Sequence, residues 1–175
     1  MKAGIQIRDS GKDDGPALAR LYPAAFPDED LAPLVNDLLA ETGGVLSLVA
    51  DIEGEIVGHI AFTHCALEQT MASLALLGPL AIAPDVQRQG IGSALIRAGF
   101  ERLKDNKTAA VLVLGDPAYY SHFGFQSEEK ITPPYPLPKE WRVAWQSLFF
   151  SKEALPLSGK MTVPIPWARP ELWAV

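Results

Sequence analysis

Apolar and polar residues alternate from Ile5 to Arg8, as in a half-buried first strand. The period then lengthens. Asp13-Asp14 and Pro16 mark a helix start, and Leu18, Leu21 and Tyr22 fall on one helical face. Pro23 and Pro27 are expected to break that helix. Asp28-Glu29-Asp30 opens a second one, striped by Leu31, Leu34, Val35, Leu38 and Leu39 and ended by Gly43-Gly44. Val45 to Ala50 and Glu55 to Thr63 read as strands joined by a hairpin turn at Asp51-Ile52-Glu53-Gly54. Ser73 to Ala83 is a long apolar strand of the kind covered on both faces. Pro79 cannot donate to a ladder, so a bulge or an unpaired edge is expected there. Gly90 to Lys104 reads as a helix, with Ile91, Leu95, Gly99 and Leu103 down one side and Ile96 and Phe100 widening the stripe. Ala110 to Leu114 is a further buried strand, and Asp116 caps a short helix that has Pro117 at its first position.

The order is strand, two helices, three strands, helix, strand, helix. It predicts an α/β fold with a mixed sheet flanked by helices. After Ile131 the composition changes, for eight of the 15 prolines and all four tryptophans lie in the last 45 residues. Val143 to Phe150 and Lys160 to Pro164 read as strands there, and the rest as ordered loop. This tail is too small to hold a core of its own. The expectation is one domain over 1–175, with a core at about 5–130 and a Pro/Trp-rich extension at about 131–175.

Charge and composition narrow the function. The formal net charge is −6 and the sequence pI is about 5.0, which argues against sequence-independent nucleic-acid binding. Cys65 is the one cysteine, so no intrachain disulfide forms. His59, His64 and His122 have no zinc spacing with a second cysteine, and no metal is expected. The start lacks the apolar segment of a signal peptide, and the longest uncharged stretch, Gln69 to Pro84, is short for a membrane span and broken by Gly78-Pro79. A cytoplasmic protein without membrane partners, monomeric or homodimeric, is expected.

The chemistry concentrates after the long strand. Leu80-Ala81-Ile82 leads into the polar loop Pro84-Asp85-Val86-Gln87-Arg88-Gln89, then Gly90-Ile91-Gly92-Ser93 opens the helix. Glycines at a helix start let a ligand approach the backbone. The first helical turn offers N–H groups with no internal partner and the positive end of the macrodipole, the ingredients of a phosphate cradle. By itself Gly-x-Gly before a helix also fits a plain turn. Leu95 stands where a Rossmann loop needs its third glycine, and no Gly-Lys-Ser or Gly-Lys-Thr follows.

Gln87-Arg88-Gln89-Gly90-Ile91-Gly92 resembles the Gln/Arg-x-x-Gly-x-Gly/Ala motif of the GCN5-related N-acetyltransferases, the GNAT family. About 35 residues later, Tyr120-Ser121-His122-Phe123-Gly124-Phe125 resembles the family's Tyr-x-x-x-Gly-Phe. Together the two cover roughly Val45 to Phe125. Gly78-Pro79-Leu80-Ala81-Ile82 and Leu114-Gly115-Asp116-Pro117 look like the small bacterial-type members. The resemblance implies an acyl-CoA N-acyltransferase fold: a mixed, mostly antiparallel central sheet whose fourth and fifth strands splay apart around the pantetheine arm. It implies acetyl-CoA as cosubstrate and direct transfer of the acetyl group, in a ternary complex, to a small-molecule or peptide amine. By position, Leu80, Ala81 and Ile82 would offer backbone groups to the arm. The N–H groups of Arg88, Gln89, Gly90, Ile91, Gly92 and Ser93 would hold the pyrophosphate, Gln87 would begin the motif, and the Arg88 side chain could reach a CoA phosphate. Tyr120 would be the catalytic acid for the departing thiolate, since a tyrosine with a pKa near 10 carries its proton at neutral pH. On an extended helix Tyr119 would share a core-facing side with Phe123, and Tyr120 would point about 100° away.

No general base is singled out: Glu55, Glu68, His64 and Asp28-Glu29-Asp30 are alternatives, the last three also favourable charges at a helix start. Gly115-Asp116 stands where many members of the family carry an asparagine that contacts CoA. Cys65 has no neighbour in sequence that would activate it. Trp141, Trp145, Trp167 and Trp173 suit either a pocket wall or cover over the sheet. Two rival readings are a non-catalytic acyl-CoA-binding or regulatory module on the same fold, which would not need Tyr120, and an interaction protein acting through its Trp-rich tail.

Overall fold

The computed structural model describes residues 4–151 and 157–174. Along the chain come β1 (Ile5–Asp9), α1 (Gly15–Ala25), α2 (Ala32–Ala40), β2 (Val45–Ile52), β3 (Glu55–Leu67), β4 (Ser73–Ile82), α3 (Ile91–Asp105), β5 (Ala110–Leu114), α4 (Pro117–Tyr120), β6 (Gln126–Ser127), β7 (Ile131–Thr132), β8 (Trp145–Phe149) and β9 (Gly159–Thr162). The fold is mixed α/β. The ladders β1–β2, β2–β3, β3–β9, β5–β8 and β6–β8 are antiparallel, while β4–β5 and β7–β9 are parallel. Two compact units alternate along the chain, Met1–Thr63 with Gly78–Arg102 and His64–Leu77 with Leu103–Val175.

In the first unit β1, β2, β3 and β4 are neighbours in that order. Each strand of the β2–β3 hairpin presents opposite faces on alternate residues. The turn is Glu53-Gly54, with φ of 51° and 88°, and the Gly54 N–H donates to Asp51 Oδ1 at 2.7 Å. On one face Leu18, Leu21 and Tyr22 of α1 and Val35 of α2 close over Val49 and Ala81. On the other, α3 lies so near β3 that a Cβ on Gly99 would overlap the Phe62 ring. That approach explains a glycine in a helix interior, where it costs about 1 kcal/mol against alanine. Cover on both faces is why β3 is buried without a break from Val57 to Thr63. Pro23 does not break α1; it sits inside the helix, which runs on to Ala25, and the Phe26 N–H donates to the Tyr22 carbonyl at 2.8 Å. Only the last turn follows Pro23, so little laddering is lost. Near Pro79 the structure has a cis Gly78–Pro79 peptide bond inside the β4 strand.

In the second unit the neighbours run β3, β4, β5, β8, β6, with β9 on β3 and β7 on β9. The register between β4 and β5 covers Leu74↔Ala110, Ala75↔Val111 and Leu76↔Leu112. β5 is sealed on its other edge by five pairs with β8, from Ala110↔Phe149 to Leu114↔Trp145. The tail is therefore part of the sheet. Trp145, Met161 and Trp173 join Cys65, Leu67, Leu74, Leu76 and Leu112 in one buried cluster. The Trp173 ring packs edge-on to Trp145 at 5.8 Å and to Trp167 at 6.0 Å, and the indole N–H groups of Trp145 and Trp173 donate to the Ile131 and Trp167 carbonyls. The reading of the rest of the tail as loop needs correction at β7, which like β6 is two residues long and so without a legible period. Among the described residues no helix is long and apolar enough to cross a membrane.

Candidate active site

β4 ends at Ile82, and the chain turns through the single 3-10 turn Pro84–Val86 before α3 starts at Ile91. The loop is braced from within. The Ala83 N–H donates to the Val57 carbonyl (2.8 Å), the Val86 N–H to the Ala83 carbonyl (3.1 Å), and Gln87 Nε2 to the Ile82 carbonyl (3.2 Å). Arg88 and Gly90 both take left-handed backbone, with φ of 63° and 85°. Gly90 adopts it without steric cost, whereas for Arg88 it is an uncommon conformation. The Gly90 carbonyl accepts from the Ala94 N–H at 3.0 Å, so the N–H groups of Ile91, Gly92 and Ser93 have no acceptor inside the helix. A Cβ on Gly90 would meet no atom within 4 Å, so the backbone there is open to a ligand. Gln89 Oε1 is buried in the same turn without a hydrogen-bond partner among the described residues.

The structure thus gathers Leu80, Ala81, Ile82 and Gln87 to Ser93 on one strand end, turn and helix start. Their roles differ. The Ala81 and Ile91 side chains are each 1% exposed and belong to the core, leaving only their backbone for a ligand. Gln87, Arg88 and Gly90 are exposed. The Ile82 carbonyl is already engaged by Gln87.

Tyr120 lies in the second unit, at the end of α4. Asp116 caps that single turn by accepting from the Ala118 N–H at 2.9 Å. The Tyr120 ring lies against the backbone of Gly115, where a Cβ would come within 2.5 Å of Cε2. A side chain at 115 would displace the tyrosine. Phe125 and Tyr119 meet the ring edge-on at 5.7 and 5.0 Å. Burial pushes the Tyr120 phenol well above its ordinary value, and Tyr119 and Asp116 add to the shift. Among the described residues no hydrogen bond engages the Tyr120 hydroxyl, so a protonated donor is left available. The expectation for Tyr119 needs correction. It does meet Phe123 edge-on, at 5.4 Å, but it is 37% exposed and not core. The helix ends at Tyr120 and passes into a 3-10 turn, so α-helical spacing does not carry across.

The alternatives for a base stay scattered. Glu55, Glu68 and the Asp28–Asp30 run are exposed, and Asp30 Oδ1 accepts from the Ala32 N–H. His64 is exposed and bonded to Ser73 Oγ at 3.1 Å. Cys65 is buried, and its thiol is pushed up to about 12 by burial, which makes it a poor nucleophile. Among the described residues no group of three or more His, Cys, Asp or Glu side chains could hold a metal ion.

Sequence reasoning finds no role for His59, which the fold turns inward at 1% exposure. Tyr22 Oη lies 2.5 Å from Nδ1, and Ser47 Oγ lies 2.8 Å from Nε2 and accepts from Ser10 Oγ at 2.7 Å. Burial raises the Tyr22 phenol and lowers the His59 imidazole to about 4, the latter partly offset by the Asp14 carboxylate. The neutral ring then accepts from Tyr22 at Nδ1 and donates from Nε2 to Ser47. As pH falls below 6.5 the unfolded chain takes up a proton that the native imidazole refuses until about 4. Stability should therefore be flat in this group above pH 6.5 and fall by about 3 kcal/mol between 6.5 and 4. Urea midpoints across that window should show the slope in the wild type and lose it in His59→Gln. An unchanged slope in the variant would assign the loss to other groups. The sequence signal for this network is faint, because Tyr22 is 37 residues away.

The GNAT acetyltransferase domain model matches residues 44–127. The chain is 34% identical over 155 residues to YjhQ of Escherichia coli K12, an uncharacterized N-acetyltransferase, covering 85% of this chain and 86% of that one. Its fold matches the crystal structure of E. coli YhbS, a GNAT family N-acetyltransferase in complex with CoA, with a TM-score of 0.86 at 27% identity over 97% of this chain and 94% of that one. A GNAT acetyltransferase of Brucella melitensis in complex with acetyl-CoA matches with a TM-score of 0.76 at 27% identity, over 93% of this chain and 97% of that one. The domain match and a likeness that spans most of both chains agree: this protein belongs to the GNAT family of N-acetyltransferases.

Proposed function

We propose that the protein transfers the acetyl group of acetyl-CoA directly to a small-molecule or peptide amine, in a ternary complex and without a covalent enzyme intermediate. The observation that carries this reading is the turn from Ile82 to Ser93, where two left-handed residues and the unpaired N–H groups of the α3 start leave an anion-accepting surface open at Gly90. The CoA and acetyl-CoA held by the E. coli and B. melitensis proteins support it. The N–H groups from Arg88 to Ser93 would bind the pyrophosphate, with Arg88 exposed for a further phosphate. Leu80 and Ala81 would offer backbone groups to the pantetheine arm, while Ile82 keeps its carbonyl for Gln87. Acetyl-CoA supplies an activated thioester. Tyr120 holds a proton at its hydroxyl for the departing sulfur, and burial keeps that proton in place at neutral and mildly alkaline pH. Kinship with N-acetyltransferases favours catalysis over a mere binding module. A cytoplasmic location fits an enzyme drawing on acetyl-CoA.

Two measurements test the reading together. Thiol release from acetyl-CoA over a panel of amines should reveal turnover. Calorimetry should give a dissociation constant on the order of micromolar for CoA. Gly92→Val places a branched side chain in the first turn of α3 and should weaken CoA binding by about tenfold or more. Wild-type affinity in that variant would remove the phosphate cradle from the turn.

A further inference from the structure

The second unit contains a cavity of about 690 Å³ whose lining includes neither Tyr120 nor the candidate CoA-binding residues. That volume is in the range of sites for small organic ligands. One wall is the run Pro133 to Leu137, stiffened by three prolines, and Trp145 forms another part of the lining. Trp145 is 3% exposed and its indole N–H is committed to the Ile131 carbonyl at 2.8 Å, so what it turns to the cavity is apolar ring. Glu128, also in the lining, is spent on structure: Oε2 accepts from the Lys130 and Ile131 N–H groups and Oε1 from Ser147 Oγ. Arg142 and Lys160 line it as exposed cations beside the exposed carboxylate of Glu129, and neither cationic side chain has an ion-pair or hydrogen-bond partner among the described residues. An apolar, aromatic body with a carboxylate suits this chemistry. The planar guanidinium of Arg142 can take both oxygens of a carboxylate.

The cavity is linked to Tyr120 through intervening residues of the same unit. The Tyr120 ring rests on Gly115, whose N–H donates to the Ala144 carbonyl at 2.9 Å and whose carbonyl accepts from Gln146 Nε2 at 3.1 Å. Ala144 stands between Val143 and Trp145, both in the lining, and Leu114 pairs with Trp145. From the other side, Tyr120 meets Phe125, which leads into β6 and the lining residue Ser127. We infer that this cavity is the acceptor pocket and that its acceptor is an amine carrying a carboxylate on an apolar or aromatic body, an amino acid or a short peptide, with Arg142 reading the carboxylate. The inference rests on the transferase reading above.

The test uses matched acceptors in the full chain: phenylalanine against phenylalaninamide, and glycyl-phenylalanine against its amide, two pairs that differ in the separation of amine and carboxylate. In at least one pair the wild type should prefer the acid by about tenfold or more in kcat/KM. Arg142→Gln should raise KM for that acid about tenfold or more, leave kcat within about twofold, and leave the amide unaffected. A wild type indifferent to the carboxylate in both pairs, or an Arg142→Gln that weakens acid and amide alike, overturns the assignment. Calorimetric titration of N-acetylphenylalanine and N-acetylglycyl-phenylalanine separates this from the transferase reading, because it needs no turnover. Binding of either product that is lost in Arg142→Gln supports the pocket even where no thiol is released, and absence of binding by both overturns it. Failure of the transferase reading shows instead as no CoA binding and no thiol release with any amine.

Discussion

Tyr120→Phe should lower turnover by roughly 10²- to 10⁴-fold, the usual worth of a positioned acid. The loss should fall on kcat and kcat/KM alike, because a proton passed to the leaving sulfur counts only in the transition state. The ring that rests on Gly115 and meets Phe125 is kept, so folding and CoA affinity should stay near the wild type. Tyr119→Phe is the control: Tyr119 is part-exposed and pairs with Phe123 through its ring, which survives the change. The pH profile gives a second readout. Tyr120 serves as a donor only while protonated, and burial raises its phenol above the ordinary value near 10. The alkaline loss of wild-type kcat should therefore lie above pH 10. Equal kcat for wild type and Tyr120→Phe would falsify the assignment and point to solvent or another group as the acid.

Trp173→Ala should cost about 3–5 kcal/mol, the range for emptying a large aromatic site in a core. Trp173 is 1% exposed, packs against Trp145 and Trp167, and belongs to the cluster that includes Leu67, Leu74 and Leu112. For a chain of this size the melting midpoint should fall by roughly 10 °C. Ile165→Ala, also in the tail but 82% exposed, should stay within about 0.5 kcal/mol. Thermal melts of both variants give the comparison. Equal midpoints would mean that the tail is decoration on a core that stands without it. The five pairs between β5 and β8 argue the reverse.

Much of the molecule follows from local pattern. The stripe on α3 and the alternation in β1 each place a face without reference to the rest of the chain, and Asp116-Pro117 sets a helix start from two residues alone. The CoA-binding candidates are legible for the same reason: Leu80 to Ser93 is one contiguous strand, turn and helix start, so its geometry is written within a dozen or so residues. What the sequence leaves open depends on distance along the chain. β6 and β7 have two residues each and exist because partners elsewhere complete their ladders. Pro23 stays in α1 because it falls in the last helical turn, where few hydrogen bonds remain to lose. Tyr119 is exposed because a 3-10 turn begins after Tyr120, which helical periodicity does not foresee.

The sequence by itself determined the order of elements as far as α4, the candidate phosphate turn and Tyr120 as the residue to test, since each is a property of neighbours in the chain. Tertiary structure decided the rest. It made the tail a structural part of the sheet, placed Gly115 under the Tyr120 ring, buried His59 between Tyr22 and Ser47, and formed the open cavity lined by Trp145 and Arg142. The physical reason is that burial and cavity shape come from contacts between residues far apart in the chain. The periodicity of a segment reports which of its faces is apolar, but not what that face will meet.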